Sequence, residues 1–206
     1  MSEYYIPTGP GEAEFTEKRS RFLGHVRMVE TEDEARAFIA EMKKKYYDAR
    51  HNCWCYLIRG GAERYSDDGE PQGTGGVPVL DVLQKAGLTD VCVVVTRYFG
   101  GVLLGANGLV RAYSQGCKIA VNAARIMEMH ECSRFEFSCD YTMYSKVSYV
   151  LPEFEVIKEQ ESFADVVSIS VLVKNELCKA FRDKITDISN GQIELSEETN
   201  LVADFA

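Results

Sequence analysis

The sequence predicts an α+β protein of two domains, a β-α domain over residues 1–130 and a ferredoxin-like β-α-β-β-α-β domain over residues 131–206. Three observations carry this. Residues 91–95, Val-Cys-Val-Val-Val, are a continuous apolar run suited to a strand covered on both faces, and the run opens through a glycine-rich turn into an amphipathic helix. Beyond residue 130, strand-period and helix-period patterns alternate in the ferredoxin-like order. The charge changes at the same place: residues 1–130 hold 16 basic and 17 acidic residues, residues 131–206 hold 7 and 15, and the chain of 206 residues has a net charge of −9.

In order along the chain, residues 1–11 carry Pro7, Gly9, Pro10 and Gly11 and read as an irregular lead-in. Residues 12–30 read as two short strands meeting at the basic corner Lys18–Arg21. Thr31 and Glu34 form a capping box, and Ala35, Phe38, Ile39, Met42 and Tyr46 give the helix that follows its apolar stripe. Lys43–Lys45 place positive charge at its negative end. Residues 51–58 read as a strand with Trp54, Tyr56 and Ile58 on one face and Cys53, Cys55 and Leu57 on the other, ended by Gly60 and Gly61. SDDGEPQGTGGVP follows as a turn-rich loop, with Thr74 leading toward a helix over 78–86. From Ala106 a second amphipathic helix buries Leu109, Tyr113, Cys117, Ala120 and Ala124 and exposes Arg111, Gln115, Lys118, Asn122 and Arg125.

Residues 126–130 read as the last strand of the first domain and 131–133 as a polar crossing. The second domain then runs as strand 134–140, helix 142–151 stopped by Pro152, strands 154–161 and 164–173, helix 175–189 closed by Gly191, and strand 192–197. Val167, Ile169, Val171 and Val173 alternate with serines, as a strand with one buried face does.

Seven cysteines without paired metal-type spacing point to reduced, buried thiols and no disulfide. Cys53 and Cys55, two apart in a strand, read as small core residues. No leader sequence stands out and no apolar run is long enough to span a membrane, so the expectation is a cytoplasmic protein without a membrane partner. The acidic second domain is poorly suited to general polyanion binding, whereas the nearly neutral first domain leaves room for a basic patch.

The candidate site centres on the turn between residues 95 and 109. Gly100, Gly101, Gly105 and Gly108 lie between Arg97 and Arg111, so the turn reads either as an anion- or partner-binding loop flanked by two arginines or as a device for packing helix on sheet. Asp67, Asp68 and Glu70 form an acidic cluster without calcium-loop spacing, and no metal ligand set is assigned. His51 begins a strand. Should Asp67 or Asp68 reach it, a base with its orienting partner results, although no nucleophilic serine or cysteine motif accompanies it.

TRYFGGVLLGANGLVRAY at 96–113, HNCWCYLI at 51–58 and the SDDGEPQGTGGVP stretch at 66–78 together closely resemble the IMPACT/YigZ family. The motifs span most of residues 18–124. One departure is Asn107 in place of an expected glycine, and asparagine tolerates the left-handed conformation. The resemblance implies a first domain like domain 2 of a ribosomal protein and a ferredoxin-like second domain similar to one of elongation factor G. It also gives weight to Lys18 and Ser20, through the KxSRF pattern at 18–22. Eukaryotic IMPACT relatives restrain an amino-acid-starvation kinase by competing for its activator protein. The resemblance therefore implies a non-enzymatic regulator linked to translation that contacts a protein or an RNA or ribosomal partner.

The binding residues expected on this basis are Lys18, Ser20, Arg21, His51, Asp67, Asp68, Glu70, Thr74, Arg97, Tyr98, Gly100, Gly101, Gly105, Gly108 and Arg111, with no cofactor and no catalytic residue assigned. If the second domain bound RNA on its sheet it would need aromatics such as Tyr141, Tyr144 and Phe154. The alternative is a hydrolase-type enzyme using His51 with Asp67, Asp68 or Glu70 beside a glycine-rich anion-binding turn.

Overall fold

The computed structural model describes residues 3–205, which fall into two units, one of residues 4–127 and one that holds Glu3 and the chain from Glu128 onward. Among the described residues no helix is long and apolar enough to cross a membrane.

The first unit begins with β1 (Glu3–Pro7), β2 (Gly11–Glu17) and β3 (Ser20–Met28), followed by α1 (Glu32–Lys45), β4 (His51–Leu57) and β5 (Glu63–Ser66). It continues with α2 (Gly76–Lys85), β6 (Val91–Tyr98) and α3 (Ala106–Ala123). Five strands form one antiparallel sheet in the order β2-β3-β6-β4-β5. Its central strand is the apolar run read from the sequence. Every residue from Val91 to Thr96 is fully buried, because each face of the sheet is covered. Val91, Val93 and Val95 pack with Cys53 and Cys55 beneath α2 and α3. Cys92, Val94 and Tyr56 pack against Ala35, Phe38, Ile39 and Met42 of α1. The Thr31–Glu34 capping box forms as expected. Helix α3 lies so close to the sheet that a Cβ on Gly24 of β3 would stand 2.2 Å from the Gly116 carbonyl oxygen.

Three readings of the first unit need correction. The irregular lead-in contains β1, whose Tyr5 N–H donates to the Gly87 carbonyl and whose Tyr5 carbonyl accepts from Thr89 N–H; Met1 and Ser2 lie outside the described residues. The strand β5 was not anticipated. It is an edge strand with Glu63, Arg64 and Tyr65 exposed, so it carries no burial pattern. Helix α2 starts at Gly76, two residues before the expected start, because Asp67 supplies its cap from outside the helix.

The second unit takes β7 (Ile126–Cys139) from Glu128 onward, then α4 (Tyr141–Val150), a 3₁₀ turn (Leu151–Phe154), β8 (Ile157–Phe163), β9 (Val167–Lys174), α5 (Cys178–Ser189) and β10 (Ser196–Asp204). Four strands in the order β8-β9-β7-β10, with every neighbouring pair antiparallel, make the ferredoxin-like arrangement, and β1 joins the same sheet as a fifth strand along β7. One face packs Phe135, Phe137, Val167, Ile169 and Val171 against Phe181 and Ile185 of α5 and Val147 of α4.

The expected polar crossing at 131–133 is instead the middle of β7: Cys132 and Ser133 are buried and pair with Lys174 and Val173, so alternation continues through a stretch that looks polar. Phe154 belongs to the 3₁₀ turn and its ring packs on Phe181, which delays β8 to Ile157. The last strand starts at Ser196, not 192. Asn190 already adopts positive φ ahead of Gly191, and Gly191 N–H closes α5 on the Thr186 carbonyl.

Candidate functional site

Register sets the core of the site. In the sheet His51 lies opposite Arg97, and Phe22 lies opposite Arg97 on the other side. The Arg97 side chain is directed inward over the rings of Phe22 and Phe99, 5.6 and 5.4 Å from their centroids. Its Nη1 donates to Glu70 Oε1 at 2.7 Å and its Nη2 to Ser20 Oγ at 3.4 Å, while Nε has no partner. Glu70 Oε1 also accepts from Tyr113 Oη of α3 at 2.8 Å. His51 Nδ1 lies 2.8 Å from the Asp68 carbonyl oxygen. A carbonyl only accepts, so Nδ1 carries the proton and Nε2 keeps its lone pair in the neutral ring. Nε2 stands 3.8 Å from Glu70 Oε1, beyond a direct hydrogen bond.

The turn-rich loop presents Glu70 because its other polar groups are used to build the loop. Asp67 Oδ1 accepts from the N–H groups of Gly75 and Gly76 and Oδ2 from that of Gly73, which caps α2. Asp68 accepts from Lys43 Nζ at 2.6 Å and from Asn52 N–H at 2.7 Å. Thr74 Oγ1 donates to the Pro71 carbonyl. The three carboxylates therefore do not converge on a common ion. Burial pushes the Cys53 thiol far above its ordinary range, and its Sγ donates to the Asp67 carbonyl, so no thiolate nucleophile serves this site.

His51, Glu70 and Arg97 floor a pocket of about 380 Å³ lined also by Arg50, Phe99, Leu103 and Leu109. Gly105, at φ 72°, starts α3 at its edge and no side chain caps the helix, so first-turn N–H groups have no capping side chain there. Phe99, Val102 and Leu103 stand 39%, 39% and 82% exposed around it.

Arg97 and Arg111 flank the glycine turn as expected, but they do not share one site. Arg97 lines this pocket, whereas Arg111 lines a separate groove of about 730 Å³ with Lys18 and Lys118, between the β2–β3 tip and α3. The two cavities adjoin through Leu104. Arg21 is exposed and tied to Glu14 at 2.8 Å. Tyr98 Oη donates to Asp48, and burial together with that carboxylate pushes its pKa up to about 12. Gly100 serves packing: a Cβ there would stand 2.0 Å from the Arg19 backbone, and its N–H donates to Ser20 Oγ. Gly101, also at positive φ, and Gly108 belong to the same turn and first helical residues.

Sequence reasoning missed Tyr113, read as a core residue, which is fully buried but ends on Glu70. It also missed Arg50, Phe99 and Leu103, whose only signal was adjacency to His51 and to the glycine turn. Lys118 was read as part of a wet helix face.

In the second unit, Tyr141 Oη donates to the Ala164 carbonyl, Tyr144 Oη donates to Glu161, and Phe154 is buried. Arg134 is paired with Glu159 and Glu198, and Arg182 with Glu197. Of the three aromatics considered from the sequence, Phe154 is buried in the core, while the Tyr141 ring remains exposed. Glu3, Glu128 and His130 bring ligand-type atoms within 4.8 Å of one another, but His130 Nε2 already lies 3.1 Å from Glu128 Oε1.

Comparison with known proteins follows the same division. The Impact N-terminal domain family matches residues 18–121, and a domain of unknown function, DUF1949, matches residues 137–192. The IMPACT family member YvyE of Bacillus subtilis is 37% identical over 96% of this chain and 92% of its own length. The Protein IMPACT homolog of Dictyostelium discoideum is 33% identical over 62% of this chain and 38% of its own. A solved structure described as a hypothetical protein superposes with a TM-score of 0.60 at 28% identity, covering 95% of this chain and 97% of the other.

Proposed function

Because the chain belongs to the IMPACT family, we propose that it is a regulatory binding protein linked to translation, and that its first unit engages a partner protein at the rim formed by residues 99–104. The observation that carries this reading is the exposure of Phe99, Val102 and Leu103 on a turn fixed beneath them by Gly100 against Arg19 and by Ser20. Large apolar side chains held rigidly around a pocket are the anchors from which protein interfaces draw most of their affinity. The buried Arg97–Glu70–Tyr113 network stiffens the floor under them.

The test is affinity capture from native lysate with wild type and Leu103→Asp. Loss of a specific translation-associated companion in the variant supports the reading, and identical capture by both removes this rim as the contact.

A second reading rests on His51. Its Nδ1–H is oriented by the Asp68 carbonyl, and its Nε2 stands near Glu70 in a pocket that also holds the uncapped start of α3. That is the arrangement of a general base beside an anion-stabilising helix end. If a hydrolytic activity exists here, His51→Ala abolishes it while leaving partner capture intact.

A further inference from the structure

The groove beneath the β2–β3 tip shares only Leu104 with that rim. We propose that it is a second binding site, and that its ligand is single-stranded RNA held by Lys18, Arg111 and Lys118. The phosphodiester follows from the groove, and RNA in place of DNA rests on the proposed link to translation.

Arg21, Arg27, Lys43, Lys85 and Arg97 of the same unit each meet a carboxylate. Lys18, Arg111 and Lys118 are exposed and meet none among the described residues, and Glu17 is the single acid lining the groove. Arg111 and Lys118 are seven residues apart on α3, roughly 10 Å along the axis, which suits a chain of phosphates better than one anion.

Lys18 and Arg19 form the two-residue link between paired Glu17 and Ser20, at φ 46° and 67°. Two positive φ values mark a hairpin turn normally made by Asn-Gly, and long side chains there carry a conformational cost. The turn is nevertheless held in place, since Gly100 packs on the Arg19 backbone and donates to Ser20 Oγ. The structure thus maintains bulky cations where smaller residues fit better.

Phe15 is half-buried, its ring stacked on Phe22 at 5.2 Å, and Val110 is 36% exposed. A half-buried aromatic ring flanked by unpaired cations suits a base and its backbone, which single-strand binders combine.

The experiment is fluorescence anisotropy with a labelled 12-nucleotide single-stranded RNA, the same sequence as DNA, and polyglutamate as competitor. Three phosphate contacts give a slope of log K against log salt of about −2, a loss of about 20-fold between roughly 50 and 200 mM salt. Each single change to alanine lowers the slope by about 0.7. Lys18→Ala/Arg111→Ala/Lys118→Ala abolishes binding, while Arg21→Ala changes it less than about two-fold; circular dichroism checks that each variant folds. Absence of RNA binding at low salt, binding unchanged in the folded triple variant, DNA bound more tightly than RNA, or polyglutamate bound more tightly than RNA each overturns the proposal. Leu103→Asp leaves RNA binding intact and the triple variant leaves partner capture intact, so failure of this inference is distinguishable from failure of the function proposed above.

Discussion

Arg97 and Glu70 meet at 2.7 Å with their side chains only 6% and 3% exposed. A buried pair of this kind is costly to break, because either partner alone is left as an uncompensated charge. Arg97→Ala is expected to lower unfolding free energy by about 3–5 kcal/mol. The double variant Arg97→Met/Glu70→Leu loses less than the single one. Urea titration checks both, and a single-variant loss under about 1 kcal/mol would falsify the view that this buried contact matters to the fold.

His25 supplies a pH dependence. Burial holds its pKa below the ordinary 6.5, with Lys45 acting in the same direction and Glu12, 3.5 Å away, opposing. Neither ring nitrogen has a hydrogen-bond partner. Below about pH 6.5 the unfolded chain takes up a proton that the folded ring resists, so this contribution to stability is complete above that pH and falls as pH drops toward the folded pKa. His25→Phe keeps the stacking on Tyr46, whose ring is 5.1 Å away, and should lose less stability between pH 7.5 and 5.5 than wild type. Equal losses in the two proteins would assign the dependence elsewhere.

Gly24 faces Gly116 across the sheet–helix contact. The methyl of Gly24→Ala would stand 2.2 Å from a carbonyl oxygen and 2.8 Å from Ala120 Cβ, so helix α3 must shift. A cost of about 1–3 kcal/mol is expected from such overpacking, read as a lower denaturation midpoint.

The Lys18-Arg19 turn predicts a trade between stability and binding. Lys18→Asn/Arg19→Gly relieves two positive-φ positions and should stabilise the protein by about 1 kcal/mol while weakening RNA binding. A destabilised double variant would show that this turn is not strained.

Most elements were legible because their signals are local. The Thr31–Glu34 box and the alternation of Cys53, Trp54, Cys55 and Tyr56 each fix a structure within a few residues. Position 131–133 was misread because side-chain polarity says nothing of partner strands far along the chain, and Cys132 pairs with Lys174 on one side and Leu201 on the other. The site was legible in its parts and not in its grouping. Arg97 and Arg111 bracket one glycine turn, but β-strand alternation turns the first inward to Glu70 and the helix carries the second to another cavity. Lys18, Lys118 and Arg111 come together only when the β2–β3 hairpin folds over α3.

Strand β6 has a hydrogen-bonded neighbour on each edge and a helical layer over each face. It has no free side from which to fray. Its amides can exchange with solvent deuterium only when the whole first unit opens, so the segment most deeply enclosed becomes the slowest clock in the domain. The Phe99–Leu104 turn that begins where the strand ends is thereby mounted on the part of the fold that moves least.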